Sequence, residues 1–317
     1  MDITGKLVFR DPKLIIKDVA IKGVPVRVYQ PKAPQSLRRG IIHIHGGATV
    51  AGSIGITLIG YSLSPEHSYP LQFQQCLDVT VHLLEHAEDY EVDPARVIVC
   101  GDSFGGLLTA VTCQVVGQRR DLPKPRAQIL LYPLLQMVKF NLPSYLQNGR
   151  TPILFKRQVL RFGLQYLKRD ISITDLILEG AHVSEDMKMK YKKWLSVENI
   201  PEEFRKREAK VVTPAPPFRD IYEGFELAAS PKLSPLFAED EVIRQLPETL
   251  ILTCQYDVLR DEGILYKKRL EENGVPVSWC HLVDGFHAAL FLVNNVFFHF
   301  PCTKTGMDHV VNFIRGL

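Results

Sequence analysis

The string "CGDSFGG" places Gly101, Ser103 and Gly105 as G-x-S-x-G between an apolar, strand-like run and a helix-like run. A sharp strand–turn–helix needs small residues beside the serine, and it lifts the hydroxyl above the sheet edge. The N-terminus of the following helix adds backbone N–H groups and positive potential. A serine hydroxyl attacks a carbonyl only with a base beside it, and the base needs a carboxylate to hold its tautomer. These partners are expected in loops after later strands. "TCQYDVLRDEG" ends one strand-like run at Asp257, and "LVDGFHAAL" ends the next at His287. Of the ten histidines, only His287 combines a loop position with the order Ser103, Asp257, His287. Asp261 and Asp284 are the rival acids; Asp261 reads more simply as a helix-start residue, and Asp284 falls in the turn before the histidine. Asp257 is preferred.

Acyl transfer also passes through a tetrahedral oxyanion, which preorganised N–H donors stabilise. "HGGA", His45 to Ala48, follows the apolar run from Ile41. Gly46 and Gly47 carry no side chain and let the backbone approach that oxygen. The N–H of Phe104, next to the nucleophile, supplies the other expected donor.

These residues need a scaffold, and the periodicity describes one. "KDVAIKGVPVRVYQP" alternates around Lys22-Gly23 and reads as a hairpin. Ile41 to His45 and Ile56 to Leu63 read as strands, as do "RVIVCGDS", "AQILLYP", "ETLILTCQYD" and "VPVSWCHLV". Helices are expected from about Phe73 to His86, over "GLLTAVTCQVV", over "DEGILYKKRLEENG" with Gly274 as its cap, and over "GMDHVVNFIRG". The alternation points to an α/β fold with a mostly parallel central sheet and flanking helices, a single domain over residues 1–317. From about Leu142 to Ser230 no strand is evident, and this stretch reads as an inserted helical cap. Its Phe155, Phe162, Tyr166 and Trp194 are candidates for an apolar pocket or for helix core.

Composition narrows the classes. The 317 residues are 46% hydrophobic and 23% charged with a net charge of +3, as in an ordinary globular protein. The basic cluster "MKMKYKKW" is expected to be a solvated helix face rather than a nucleic-acid or lipid surface. Six cysteines show no C-x-x-C spacing, and Cys100, Cys254 and Cys280 read as buried thiols, so neither a metal nor a cofactor is expected. The N-terminus lacks a signal-peptide core, and no run reaches the length of a membrane span.

"RRGIIHIHGGATV", "YSLSPEHSYP", "VDPARVIVCGDSFGG", "AQILLYPLLQ", "NLPSY", "CQYDVLRDEG" and "DGFHAAL" together resemble the hormone-sensitive-lipase branch of the α/β-hydrolases, in particular the arylacetamide deacetylase-like proteins. The resemblance runs from about Asp11 to the C-terminus. It implies an α/β-hydrolase fold, a Ser103–His287–Asp257 triad and an oxyanion loop containing Gly46 and Gly47. It also implies hydrolysis of short-chain acyl esters or amides of lipophilic small molecules. Several full-length relatives are anchored at the endoplasmic reticulum membrane, whereas this chain as written carries no anchor and is expected to be cytoplasmic.

Two features depart from that pattern. Ala48 stands where many relatives carry a third glycine. Only Gly46 to Gly55 separate two strands that relatives join through a helix, so the chain resembles a shortened form. A lost crossover helix is expected to expose Ile42, Ile44 and Ile59. Three classes of function therefore stand side by side: a carboxylesterase-type hydrolase, an impaired or unstable chain that retains the triad, and a ligand receptor on the same fold.

Overall fold

The computed structural model describes residues 12–32, 37–47, 58–205, 221, 225–293 and 300–317. The alternating N-terminal run forms the expected hairpin of β1 (Leu14–Ile21) and β2 (Val24–Pro31), with Ile21 opposite Val24. Lys22 and Gly23 both take positive φ, 48° and 80°, which suits a two-residue turn between twisted strands. Then follow β3 (Arg38–Ile44), β4 (Leu58–Ile59), α1 (Leu71–Glu85), β5 (Val92–Asp102), α2 (Phe104–Gln118) and β6 (Ala127–Leu131). Between β6 and the next strand lie α3 (Pro143–Gln147), α4 (Lys156–Tyr166), α5 (Thr174–Leu178), α6 (Glu185–Leu195), α7 (Glu202–Arg205) and α8 (Asp240–Ile243). The chain ends with β7 (Glu248–Tyr256), α9 (Arg260–Glu272), β8 (Val277–Phe286) and α10 (Pro301–Gly316). Gly274, at φ 79°, follows the last turn of α9, and its N–H donates to Glu271 O.

The strands form one sheet in the order β1-β2-β4-β3-β5-β6-β7-β8. β2 is antiparallel to both neighbours, and the strands from β4 to β8 run parallel. Parallel strands are buried on both faces, which explains unbroken apolar runs such as "AQILL" in β6. Val97 and Val99 of β5, Leu130 of β6 and Ile251 of β7 pack into the layer that holds α1, α2 and α9. Ile98, Cys100, Ile129, Leu250 and Leu252 point the other way, into the layer with α10. α2 is apolar nearly all round and buried along nearly its whole length, as a helix enclosed by its neighbours must be.

Two expectations need correction. Among the described residues β4 covers only Leu58–Ile59, pairing parallel to β3; the expected strand does not continue over residues 60–63, and its residues 56–57 lie outside the described ones. Gly60 N–H still donates to Pro25 O at 2.8 Å, but Ser62 N–H then turns to Gln75 Oε1 on α1 at 2.7 Å, which takes the chain off the sheet. Ile42, Ile44 and Ile59 are also buried, at 4%, 0% and 1% exposure. Strand parity is the reason. Ile42 and Ile44 face the layer of α1 and α2, whereas the opposite face of β3 carries the half-buried Ile41 and His43. Ala48 and most of the Gly46 to Gly55 connection lie outside the described residues.

Candidate active site

Ser103 occupies the turn between β5 and α2 with φ 54° and ψ −119°, a region that L-residues rarely adopt. The turn is held from outside. Ser103 N–H donates to Leu131 O on β6 at 2.9 Å, and Leu134 N–H donates to Ser103 O at 3.1 Å. A Cβ on Gly105 would overlap the carbonyl oxygens of Ile44 and His45, and one on Gly101 would overlap the Gly105 carbonyl. The two flanking glycines of the motif are therefore required by space, because α2 is pressed against the end of β3.

The sheet brings the three expected polar side chains together across its C-terminal edge. Ser103 Oγ lies 2.9 Å from His287 Nε2, and His287 Nδ1 lies 2.8 Å from Asp257 Oδ2. Asp257 Oδ1 accepts the Leu259 N–H at 2.9 Å, so both carboxylate oxygens have partners. The Asp257 side chain is fully buried, and His287 is 6% exposed with its ring edge-on to Tyr132. The rival acids go elsewhere. Asp261 accepts from Arg260 Nε at 2.9 Å and from Ser144 N–H at 2.7 Å, and Asp284 is an exposed residue of β8.

The glycines after β3 divide their tasks. Gly46 N–H donates to Asp102 Oδ1 at 3.0 Å, so it is already engaged. Tyr61 stacks on His45 and donates its hydroxyl to His45 O at 2.8 Å, which pins the same loop from its carbonyl side. Gly47, at φ 95°, follows as an exposed residue. Phe104 is the first residue of α2, where a backbone N–H has no partner in the helix's own ladder.

Asp102 and Tyr61 were not singled out from the residue pattern. The only signal for Asp102 was an acid inside the serine turn, and the only signal for Tyr61 was its place in "YSLSPEH". Asp102 is 2% exposed, and burial raises its carboxyl to about 6, with the Gly46 N–H and His287 pulling the other way. His43 Nε2 lies 3.6 Å from the same Oδ1 oxygen. Burial, and then His45 beside it, lower the His43 imidazole to about 4.

A cavity of about 30 Å³ beside Ser103 is lined by Phe104, Leu134, Met137, Leu154, Val159 and Phe162, among others. That is room for roughly two waters, so an acyl group placed there without rearrangement is short. Of the aromatic candidates, Phe162 lines this space and Tyr166 is buried edge-on to Phe104. Trp194 packs on Phe237 instead, and Phe155 is 40% exposed. All six cysteines are free and buried. Among the described residues no group of three or more His, Cys, Asp or Glu is placed to hold a metal ion, and no helix is long and apolar enough to cross a membrane.

This constellation, on a sheet of this topology, is the arrangement of α/β-hydrolases. A family model described as alpha/beta hydrolase fold matches residues 48–190 and 201–291. The chain is 42% identical to arylacetamide deacetylase-like 3 of Mus musculus, over 96% of this chain and 79% of that protein. It is 41% identical to arylacetamide deacetylase-like 4 of Homo sapiens, over 97% of this chain and 80% of that protein. The crystal structure of carboxyl esterase 2 from Tuber melanosporum shares the fold, with a TM-score of 0.71 at 20% identity over 99% of this chain and 89% of that one. The chain belongs to the α/β-hydrolase fold family, in its arylacetamide deacetylase-like branch, an esterase- and deacetylase-type group of carboxylic ester hydrolases.

Proposed function

We propose that the chain is a serine hydrolase that cleaves short-chain acyl esters or amides of lipophilic small molecules through an acyl-enzyme. The observation that carries this reading is the continuous contact from Ser103 Oγ through His287 to Asp257, at 2.9 and 2.8 Å. His287 Nε2 takes the Ser103 proton as Oγ attacks the acyl carbonyl, while Asp257 holds the Nδ1–H tautomer and stabilises the imidazolium. The oxyanion is received by the N–H groups of Gly47 and Phe104, and Gly46 acts by holding Gly47 in place. His287 then protonates the leaving alcohol or amine. A water deprotonated by His287 releases the acid from Ser103, and the enzyme returns to its starting state.

The apolar lining and small volume beside Ser103 favour a short acyl group, and the relatives' names point to an acetyl group. A lipophilic substrate also fits association with membranes. The histidine oriented on Ser103 by Asp257 favours the enzyme over a receptor, which needs no tautomer-locked histidine. Ser103→Ala is expected to lower hydrolysis of p-nitrophenyl acetate or butyrate by at least ~10³-fold and to abolish labelling by a fluorophosphonate. Hydrolysis unchanged in that variant, or a well-folded wild-type protein that neither labels nor turns over, would sink the proposal.

A further inference from the structure

The larger cavity of the helical insertion is not the one beside the serine. It encloses about 460 Å³, within the range of small-molecule sites, and none of Ser103, Asp257 or His287 lines it. Its walls are apolar: Val138, Phe140, Ile177, Val183, Met187 and Leu195 contribute from the segment after β6, from α5 and α6, and from the turn between those helices. Its charged groups are three lysines, Lys139, Lys188 and Lys192, against the single acid Glu179. Lys188 is already paired with Glu185 at 2.7 Å.

Lys139 differs. It is half-buried, its Nζ donates to Leu195 O at 3.0 Å, and among the described residues it has no carboxylate partner. An ammonium has three donors, so Lys139 keeps capacity for an anion. Lys192 is exposed, one turn beyond Lys188 on α6, and likewise has no acidic partner among the described residues. Half-burying a lysine next to an apolar cavity is unfavourable unless a charge can meet it, and burial indeed lowers the Lys139 ammonium from its ordinary value.

We infer that this cavity is a second binding site, for a single-chain amphiphile whose apolar tail fills the space between α5 and α6 and whose carboxylate meets Lys139 and Lys192. This assigns a task to the basic cluster of α6. Its inward side chains Met187 and Leu195 form the wall, and its lysines form the rim. The site is one residue away from the cleft beside Ser103, since Met137 lines the cleft and Val138 lines the cavity. It does not depend on the hydrolase mechanism.

Dodecanoate is the probe, titrated calorimetrically into the full chain and into single variants that retain the parent's thermal melt. Lys192→Glu, at an exposed position, and Lys139→Met are each expected to weaken binding by about tenfold, the scale of a charge-assisted hydrogen bond. Met187→Trp, which narrows the cavity from the α6 wall, is expected to weaken it by about tenfold. Leu154→Trp fills the cleft beside Ser103 instead and is expected to leave it intact, while dodecanol should bind at least about tenfold more weakly than dodecanoate. Binding lost in Leu154→Trp but kept in Met187→Trp would place the ligand in the catalytic cleft and overturn the inference. So would no measurable binding to the parent, or equal affinity in the two lysine variants and the parent.

Discussion

Asp102 stands next to Ser103 but makes its hydrogen bond to the loop after β3. Its Oδ1 accepts the Gly46 N–H at 3.0 Å, which fixes the backbone directly before Gly47. On the proposed mechanism, Asp102→Ala is expected to lower kcat by about 10–100-fold with little change in KM, because it would loosen a transition-state donor rather than substrate binding. Asp102→Asn keeps an oxygen acceptor and should retain most of the activity; equal losses in the two variants would remove Asp102 from this role. The same pair carries a stability signature. The carboxyl rises from 3.8 to about 6 in the fold, so its favourable contribution is present below pH 3.8 and is lost as pH rises through 6. Asp102→Asn should accordingly gain stability over the parent above pH 6, by up to about 3 kcal/mol, and none below pH 4. Urea unfolding at the two pH values checks it. The meeting of Ser103, His287 and Asp257 was legible in the sequence because each follows a strand that announces itself, whereas the engagement of Gly46 was not. Its acceptor lies 56 positions away in sequence and meets it only when β3 pairs with β5.

At the scale of elements, the decisive contact is α2 against the end of β3. Gly105 sits under the carbonyl oxygens of Ile44 and His45, with no room for a methyl group. Gly105→Ala must either push α2 off the sheet or displace the loop that carries Gly46. A loss of at least about 3 kcal/mol is expected, seen as a large drop in melting temperature together with lost hydrolysis. A variant that melts like the parent would show that the contact yields cheaply. The same neighbourhood marks where pattern reading stops. Period-2 alternation identified the hairpin and the apolar runs identified β5 to β8, because those signals are local. The length of β4 was not local, since Gln75 on α1 and Pro25 on β2 decide where that strand ends. Nor was the face presented by Ile42 and Ile44. Parity within a strand is readable from sequence, but which parity meets α1 and α2 depends on the assembled sheet.

At the scale of the whole molecule, the helices between β6 and β7 are joined to α9 through a buried acid. Glu262 on α9 accepts Leu135 N–H at 2.6 Å and Gln136 N–H at 3.2 Å through Oε2, and Gln136 Nε2 at 2.8 Å and Tyr145 OH at 2.6 Å through Oε1. One carboxyl thus ties the segment after β6, helix α3 and helix α9 together. Nearby, Asn148 Nδ2 donates to the backbone oxygen of Asp257 at 3.0 Å, so the same junction braces the loop that holds the His287-bound carboxylate. Burial raises the Glu262 carboxyl from 4.5 to about 7, although all four donors favour its ionised form. Because the folded value lies above the unfolded one, the contribution is fully present below pH 4.5 and is lost as pH rises through 7. Glu262→Gln cannot ionise and offers one acceptor oxygen to four donors, so it is expected to be less stable than the parent at pH 4.5. Its deficit should then shrink by up to ~3 kcal/mol between pH 4.5 and 7.5, as the parent bears the growing cost of a buried charge. Denaturant unfolding of both proteins across that range measures the difference, and a deficit that stays constant with pH would mean that Glu262 is ionised in the fold throughout.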